Sequence, residues 1–403
     1  MASPAAQGSG PQLFRIDNIV NKGLGMLAQA NIAAGTLLLT ESPLAVLPEA
    51  LMEQPRNATK AIASQLKQLA PDEQEIYRAL YKDASASKRT RLHAIFLSNC
   101  FDASGVNAEG VHEKQAACFA TFSRINHSCN PNAEVYFDWS TRSQRLFAIK
   151  DIVEGDEICV AYRNIYQIKE GRQSELQSAY GFTCLCTTCS LPEEATQDRD
   201  RLLGEFLLWK QISEAQENQA TKASMREVLA VQRRQYSSLR SLQFSTSDLA
   251  STLIPVIIAC EHESGWDCIK AVMKALVSGV YEVCLGNESA LAIRFRKAIS
   301  EEEGELLRAL AWDGNVILGM EVNLFEHWLW GEVELAWLAS AKVWRLQVPR
   351  ALLLWEVELV MSGQNGSIFG NWGTGLLSEQ RSLVIRKTVK RVIVDGRVEA
   401  WLD

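Results

Sequence analysis

Short apolar runs cut by turn residues fill positions 13–47, the pattern of strands. Val20-Asn21-Lys22-Gly23, Ala33-Ala34-Gly35 and Glu41-Ser42-Pro43 read as the turns, and Thr36-Leu37-Leu38-Leu39-Thr40 as a bounded strand. The period changes over residues 49–112. Ala61, Ile62, Leu66 and Leu69, then Ile76 and Leu80, then Leu92, Ile95 and Phe96 fall at helical spacing, and Pro71-Asp72-Glu73 has the proline and acids of a first helical turn. Residues 115–125 read as a further helix. Strand patterns return at 133–137, 145–149 and 157–161, with Val153-Glu154-Gly155-Asp156 as the turn before the last. Residues 170–180 read as a short helix, and longer helical stretches follow at 200–216, 222–242 and 247–261. The pattern predicts an α+β chain: a β-rich portion broken by a helical insert, then a mostly helical region.

At 403 residues the chain exceeds the roughly 250–300 at which one core stops growing, which sets a prior of about two or three domains. Residues 1–12, rich in Ala, Ser, Gly and Pro, read as a disordered tail, and 193–300 as the helical region. Residues 301–403 take no assignment. Eight of the eleven tryptophans lie between Trp312 and Trp401, and 363–375 is glycine-rich without a period. A net charge of −7 argues against a broad basic surface for nucleic acid and suits a lysine-rich partner. Every apolar run is broken by charge well short of ~18 residues, so no membrane span is expected. The first ten residues have no charged or apolar leader pattern, so no secretory leader is expected. The ten cysteines then belong in a reducing compartment, as core residues or metal ligands.

Chemistry concentrates in four places. Cys184, Cys186 and Cys189 form C-x-C-x-x-C, three thiolates where tetrahedral zinc takes four ligands. Lys22-Gly23-Leu24-Gly25 supplies glycines whose missing Cβ lets backbone approach a ligand. The run Arg124-Ile125-Asn126-His127-Ser128-Cys129-Asn130-Pro131-Asn132 packs polar and thiol groups together, and Tyr162 ends the strand that follows. Cys260, His262, Cys268 and Cys284 fall on separate helices, while Cys100, Cys118 and Cys159 sit in apolar surroundings as core residues. No nucleophile elbow, P-loop or dinucleotide fingerprint is present.

These features, in this order, resemble the signature of SET-domain protein-lysine methyltransferases. With the helical insert and helical continuation, the chain is most similar to the fungal SET-and-MYND-like subfamily. The resemblance covers about residues 13–191. It stops short of the MYND zinc finger, since 49–112 holds a single cysteine, Cys100. It implies a SET domain over 13–183, with the insert at 49–112, and a post-SET zinc flap over 184–192. It places S-adenosylmethionine against Lys22, Gly23, Leu24, Asn99, Asn126, His127 and Phe182, with Tyr180 walling a lysine channel. It also makes Cys129 the fourth ligand of one structural zinc, and sets Tyr162 beside the transferring methyl group. In-line displacement at carbon needs amine, methyl and sulfonium aligned away from water, and a tyrosine offers a hydroxyl to orient the amine and a ring to face a cation.

Two readings stay open on the sequence. One is a methyltransferase acting on a lysine-bearing protein, histones among the candidates, in nucleus or cytoplasm. The other is a SET-shaped interaction module with little or no catalysis, its helical half holding partners.

Overall fold

The computed structural model describes residues 13–81, 90–106, 111–218, 223–262, 265–309, 356–359, 389–394 and 397–400. The first stretch is β1 (Phe14–Ile19), β2 (Gly23–Ala28), β3 (Leu37–Glu41) and β4 (Ala45–Pro48). The insert follows as α1 (Glu49–Met52), α2 (Pro55–Leu66), α3 (Pro71–Arg78) and α4 (Arg91–Asn99). Short strands β5 (Phe101–Asp102), β6 (Gly105–Val106), β7 (His112–Glu113) and β8 (Gln115–Cys118) lead to a 3-10 turn at Phe122–Arg124. Then come β9 (Asn126–His127), β10 (Ala133–Asp138), β11 (Ser143–Ala148) and β12 (Glu157–Val160), closed by α5 (Lys169–Tyr180). The helical region is α6 (Glu193–Asn218), α7 (Met225–Ser241), α8 (Asp248–Cys260), α9 (Asp267–Leu285), α10 (Ala290–Lys297) and α11 (Glu301–Ala309). The α+β class is as the pattern indicates. Among the described residues no helix is long and apolar enough to cross a membrane.

Two compact units divide the chain. One takes in the chain up to Ala215 together with Arg234–Thr252 and Val277–Phe295; the other is Gln216–Arg233, Leu253–Leu276 and the chain from Arg296. Residues 193–300 thus contribute to both. In the second unit, Lys274 Nζ bonds both oxygens of the buried Glu303 carboxylate at 2.9 and 3.0 Å. Its C-terminal part includes a three-stranded sheet of β13 (Glu356–Leu359), β14 (Val389–Val394) and β15 (Arg397–Ala400). Most of the tryptophan-rich tail, and the glycine-rich 363–375, lie outside the described residues.

The first unit holds the small sheets that build the site. One runs β1-β2-β12-β9, with β1-β2 and β2-β12 antiparallel and β12-β9 parallel. A second runs β10-β11-β3 and a third β4-β8-β5. Met26, Phe119, Phe122, Leu146 and Ile158 are fully buried in the core between them. Asn21 (φ 63°) and Gly23 (φ 77°) make the β1-β2 turn, and Gly155 (φ 91°) the turn before β12; only small or short polar residues take that conformation cheaply.

The helix expected over 115–125 is instead strand β8 and a 3-10 turn. Ala116, Ala117 and Cys118 favour neither form strongly, and tertiary pairing decides. Cys118 pairs with Ala45 and Ala117 with both Val46 and Phe101, so β8 is the middle strand of its sheet. Glu41 then stops any helix: its carboxylate accepts the Thr121 N–H at 2.9 Å and the Phe122 N–H at 3.1 Å. This turn delivers the chain to Asn126.

Glu134 on β10 ties the sheet to the start of α8, accepting the Ser247 N–H at 2.9 Å and the Ser247 hydroxyl at 2.5 Å. Burial pushes its carboxyl up to about 7, against those two bonds. A raised carboxyl means the native state holds the proton longer than the unfolded chain. The Glu134 contribution is therefore full below about 4.5 and is lost as pH rises through about 7. Glu134→Gln should flatten the pH dependence of urea-unfolding stability across that window; an unchanged slope would clear Glu134 of responsibility. Met26→Ala should cost about 2–5 kcal/mol in the same assay, the usual range for emptying a buried methionine site.

Candidate active site

The parallel pairing of β9 with β12 brings Asn126 opposite Cys159 and His127 opposite Val160. Tyr162 stands two residues beyond the end of β12, so the pairing lays the Asn-His segment along the strand that leads to the tyrosine. His127 is 5% exposed, and both ring nitrogens are used. Nδ1 accepts the Tyr162 backbone N–H at 3.0 Å, and Nε2 lies 3.3 Å from Cys129 Sγ. A backbone amide can only donate, so the ring proton sits on Nε2 and points at sulfur. Burial pushes the imidazole down to about 4, which keeps it neutral as this arrangement needs. With both nitrogens engaged, His127 offers a ligand its ring face and backbone only.

Cys129, Cys184, Cys186 and Cys189 are all buried, and their sulfurs lie within 4.8 Å of one another. The Cys129–Cys189 separation is 3.5 Å, far beyond the ~2.05 Å of a disulfide and close to the ~3.8 Å between sulfurs on one tetrahedral zinc. Hydrogen bonding from Cys129, Cys184 and Cys189 holds the Cys186 thiol well below the ordinary range. Burial works against the charge of Arg172 on α5, but the Cys129 and Cys189 sulfurs outweigh it and hold the guanidinium above its ordinary value. Hydrogen bonding from the other three sulfurs pushes Cys129 up, and Cys184 is raised as well, so the four do not all ionise unaided; a divalent ion would supply the charge that lets all four bind as thiolates beside the Arg172 guanidinium. The residues fit zinc. α5 ends at Gly181 (φ 73°), a left-handed cap that turns the chain into the cysteine loop, and Gln173 clamps that loop through the N–H and C=O of Cys184, both at 2.8 Å.

Rings extend from this cluster. His127 and Tyr162 have centroids 5.4 Å apart, Tyr162 and Tyr180 5.1 Å, Tyr180 and Phe182 6.3 Å, and His127 and Phe182 6.5 Å. Tyr162 and Tyr180 face a cleft of about 440 Å³, also lined by Asn99, Phe101, Ile125 and Tyr136. The Tyr162 hydroxyl donates to the Ile125 carbonyl at 2.6 Å, and burial raises its pKa. Asn99 lines the cleft, but its amide is spent at the end of α4, donating to Ile95 O at 2.6 Å and Tyr81 O at 2.7 Å.

Lys22 and Asn126 meet through Glu157, a residue that sequence reasoning passed over, and the Asn126 amide also donates to Leu24 O. Glu157 enters the sequence pattern only as the first residue of the strand 157–161, and its partners are 135 and 31 residues away. The glycines also divide their roles. Gly23 serves the turn, with open space where a Cβ would stand, whereas a Cβ on Gly25 would lie 2.7 Å from Asn126 Nδ2.

The SET domain family profile matches residues 23–163, so the chain carries a SET domain, and it resembles fungal set5 and SET-and-MYND proteins. It is 29% identical over 184 residues to the histone-lysine N-methyltransferase set5 of Schizosaccharomyces pombe, covering 45% of this chain and 52% of that protein. It is likewise 29% identical over 154 residues to the histone-lysine N-methyltransferase SMYD3 of Mus musculus, covering 37% and 34%. A putative SET domain-containing protein of Acanthamoeba polyphaga mimivirus is 25% identical over 195 residues, covering 42% and 75%. The chain thus spans about half of the yeast protein and a third of the mouse one.

Metal analysis of the purified protein should find about one zinc per chain, lost in Cys186→Ser. Protein that is zinc-free yet melts at the same temperature would remove the metal from the account.

Proposed function

We propose that the protein transfers a methyl group from S-adenosylmethionine to the side chain of a lysine in a protein substrate. The juxtaposition of Tyr162, at the head of an aromatic cleft, with the Asn126-His127 strand carries this reading. Lys22, Gly23, Leu24, Asn126 and the ring of Phe182 would hold the cofactor, which would supply an electrophilic methyl to the amine nitrogen, the S–C electron pair returning to sulfur.

The chain's own groups account for the rest. Tyr162, Tyr180 and Tyr136 wall the cleft, so a lysine stem lies against rings while its nitrogen reaches the inner end. Withdrawal of the amine from water among these rings favours its neutral, nucleophilic form, and its proton leaves to solvent before transfer. The Tyr162 hydroxyl has committed its hydrogen to Ile125 O, which leaves its lone pairs to accept an amine N–H and aim the nitrogen. Asn99 sets one wall of this cleft. Residues 184–192 act as a zinc-bound flap closing Tyr180 and Phe182 over the site. A histone suits the acidic chain as substrate, and nucleus or cytoplasm as setting.

Labelled methyl transfer to core histones and to a proteome extract tests the reading. Protein with zinc bound should label a lysine, and Tyr162→Phe should lower kcat/KM by about tenfold or more through loss of alignment. Equal rates for the variant would remove Tyr162 from the reaction. No transfer to any protein in the extract would overturn the function.

A further inference from the structure

The cleft in front of Tyr162 holds a charged group that methyl transfer leaves unused. Phe101-Asp102 forms β5 and pairs with Ala117 and Ala116 of β8, so the two side chains point to opposite faces of the strand. Phe101 packs on the core side, its ring centroid 5.9 Å from that of Phe122 and 6.2 Å from that of Phe119. Asp102 is thereby turned outward. It is exposed yet lines the cleft, whereas Tyr162 is half-buried, so the carboxylate stands toward the solvent end and the phenol lies deeper. Asp102 Oδ1 accepts the Ser104 N–H at 2.9 Å, a local turn that fixes the carboxylate in place.

The other polar side chains that line the cleft are largely spent on the fold. The Ser98 and Ser123 hydroxyls donate to Ala94 O and Asn99 O, both at 3.0 Å, and the Ser104 hydroxyl donates to Gln115 O at 3.2 Å. The Asn99 amide and the Tyr162 hydroxyl give their hydrogens to carbonyls, and the Tyr136 hydroxyl accepts the Ala290 N–H at 3.4 Å. Asp102 differs. Among the described residues it bonds the Ser104 amide alone, no cation pairs with it, and it is the one charged side chain lining the cleft. Arg163 lies over the Tyr180 ring, 5.3 Å from its centroid, without an ion pair to Asp102. A carboxylate has about four lone-pair positions, so about three remain for a ligand.

Resting on the methyl-transfer reading, we propose that Asp102 is a specificity residue that selects lysines with a basic neighbour. With the target nitrogen at Tyr162, the flanking residues of the substrate lie toward the mouth of the cleft. There the carboxylate accepts N–H bonds from an Arg or Lys side chain beside the target. An acidic neighbour would set two carboxylates together and is rejected. Holding the turn needs one oxygen and no charge, whereas selecting a cation needs the charge itself. That difference separates the two roles.

The zinc-loaded full chain, incubated with S-adenosylmethionine and a proteome extract, supplies the substrates once its methylated lysines are located by mass spectrometry. Compared with other lysines of the same proteins, these sites should be enriched in Arg or Lys within about three positions, roughly 10 Å of extended chain. Two synthetic peptides then follow from one such site, the natural sequence and the same sequence with the basic neighbour changed to Gln. Wild-type kcat/KM should favour the natural peptide about threefold, the scale of an exposed ion pair. Asp102→Asn keeps an oxygen for the Ser104 N–H and should bring that ratio near one through loss on the natural peptide. Asp102→Lys should carry it below one. A ratio that is the same in all three proteins, or a loss that falls on both peptides alike, would make Asp102 a turn residue and overturn the proposal. Labelled sites with no excess of basic neighbours would overturn it too, while leaving methyl transfer standing. A wild-type chain that labels no lysine in the extract would overturn the methyl-transfer reading and this inference with it.

Discussion

The imidazole of His127 is the hinge on which the first unit's site depends. One nitrogen takes the backbone N–H of Tyr162, and the other faces the sulfur of Cys129. The ring is thereby tied to the segment that carries the tyrosine, and through Cys129, whose sulfur lies 3.5 Å from that of Cys189, to the cysteine loop that follows α5. A neutral ring with its hydrogen on Nε2 satisfies both partners at once. A protonated ring would set an N–H against the Tyr162 N–H, and burial holds that form off.

Charge is arranged in layers around this ring. The four clustered sulfurs lie against buried Arg172, with the Cys186 thiol held below the ordinary range. Outward on one side, the Lys22–Glu157 pair holds Asn126 in place. The cleft is lined by the rings of Phe101, Tyr136, Tyr162 and Tyr180 together with polar groups such as Asn99 and Asp102, and the Tyr162 hydroxyl meets Ile125 O there.

Much of this was legible because local pattern and tertiary placement agree. The turns at Asn21–Gly23 and Gly155, the strands near 133 and 145, and the helix into Gly181 all carry their own punctuation. Cys184, Cys186 and Cys189 have spacing that suggests metal chemistry, the resemblance supplied Cys129 as the fourth, and the fold brings all four sulfurs together. The failure at 115–125 has the opposite cause. Ala116-Ala117-Cys118 has no decisive period, and its strand state comes from partners at 45–48 and 101–102. Glu157 was hidden for the same reason: only the β2-β12 pairing reveals that it faces Lys22 and Asn126 rather than water. His127 was visible, but its use of both nitrogens was not, because hydrogen-bond direction has no trace in a sequence.

The coupling through His127 is tested most directly by titrating S-adenosylhomocysteine into the protein before and after zinc is removed with a chelator. The zinc-loaded chain should bind about one equivalent, and the chelated chain, still folded by circular dichroism, should bind at least about tenfold more weakly, because Tyr162 and the flap lose their common anchor. Equal affinity in the two states would contradict the account.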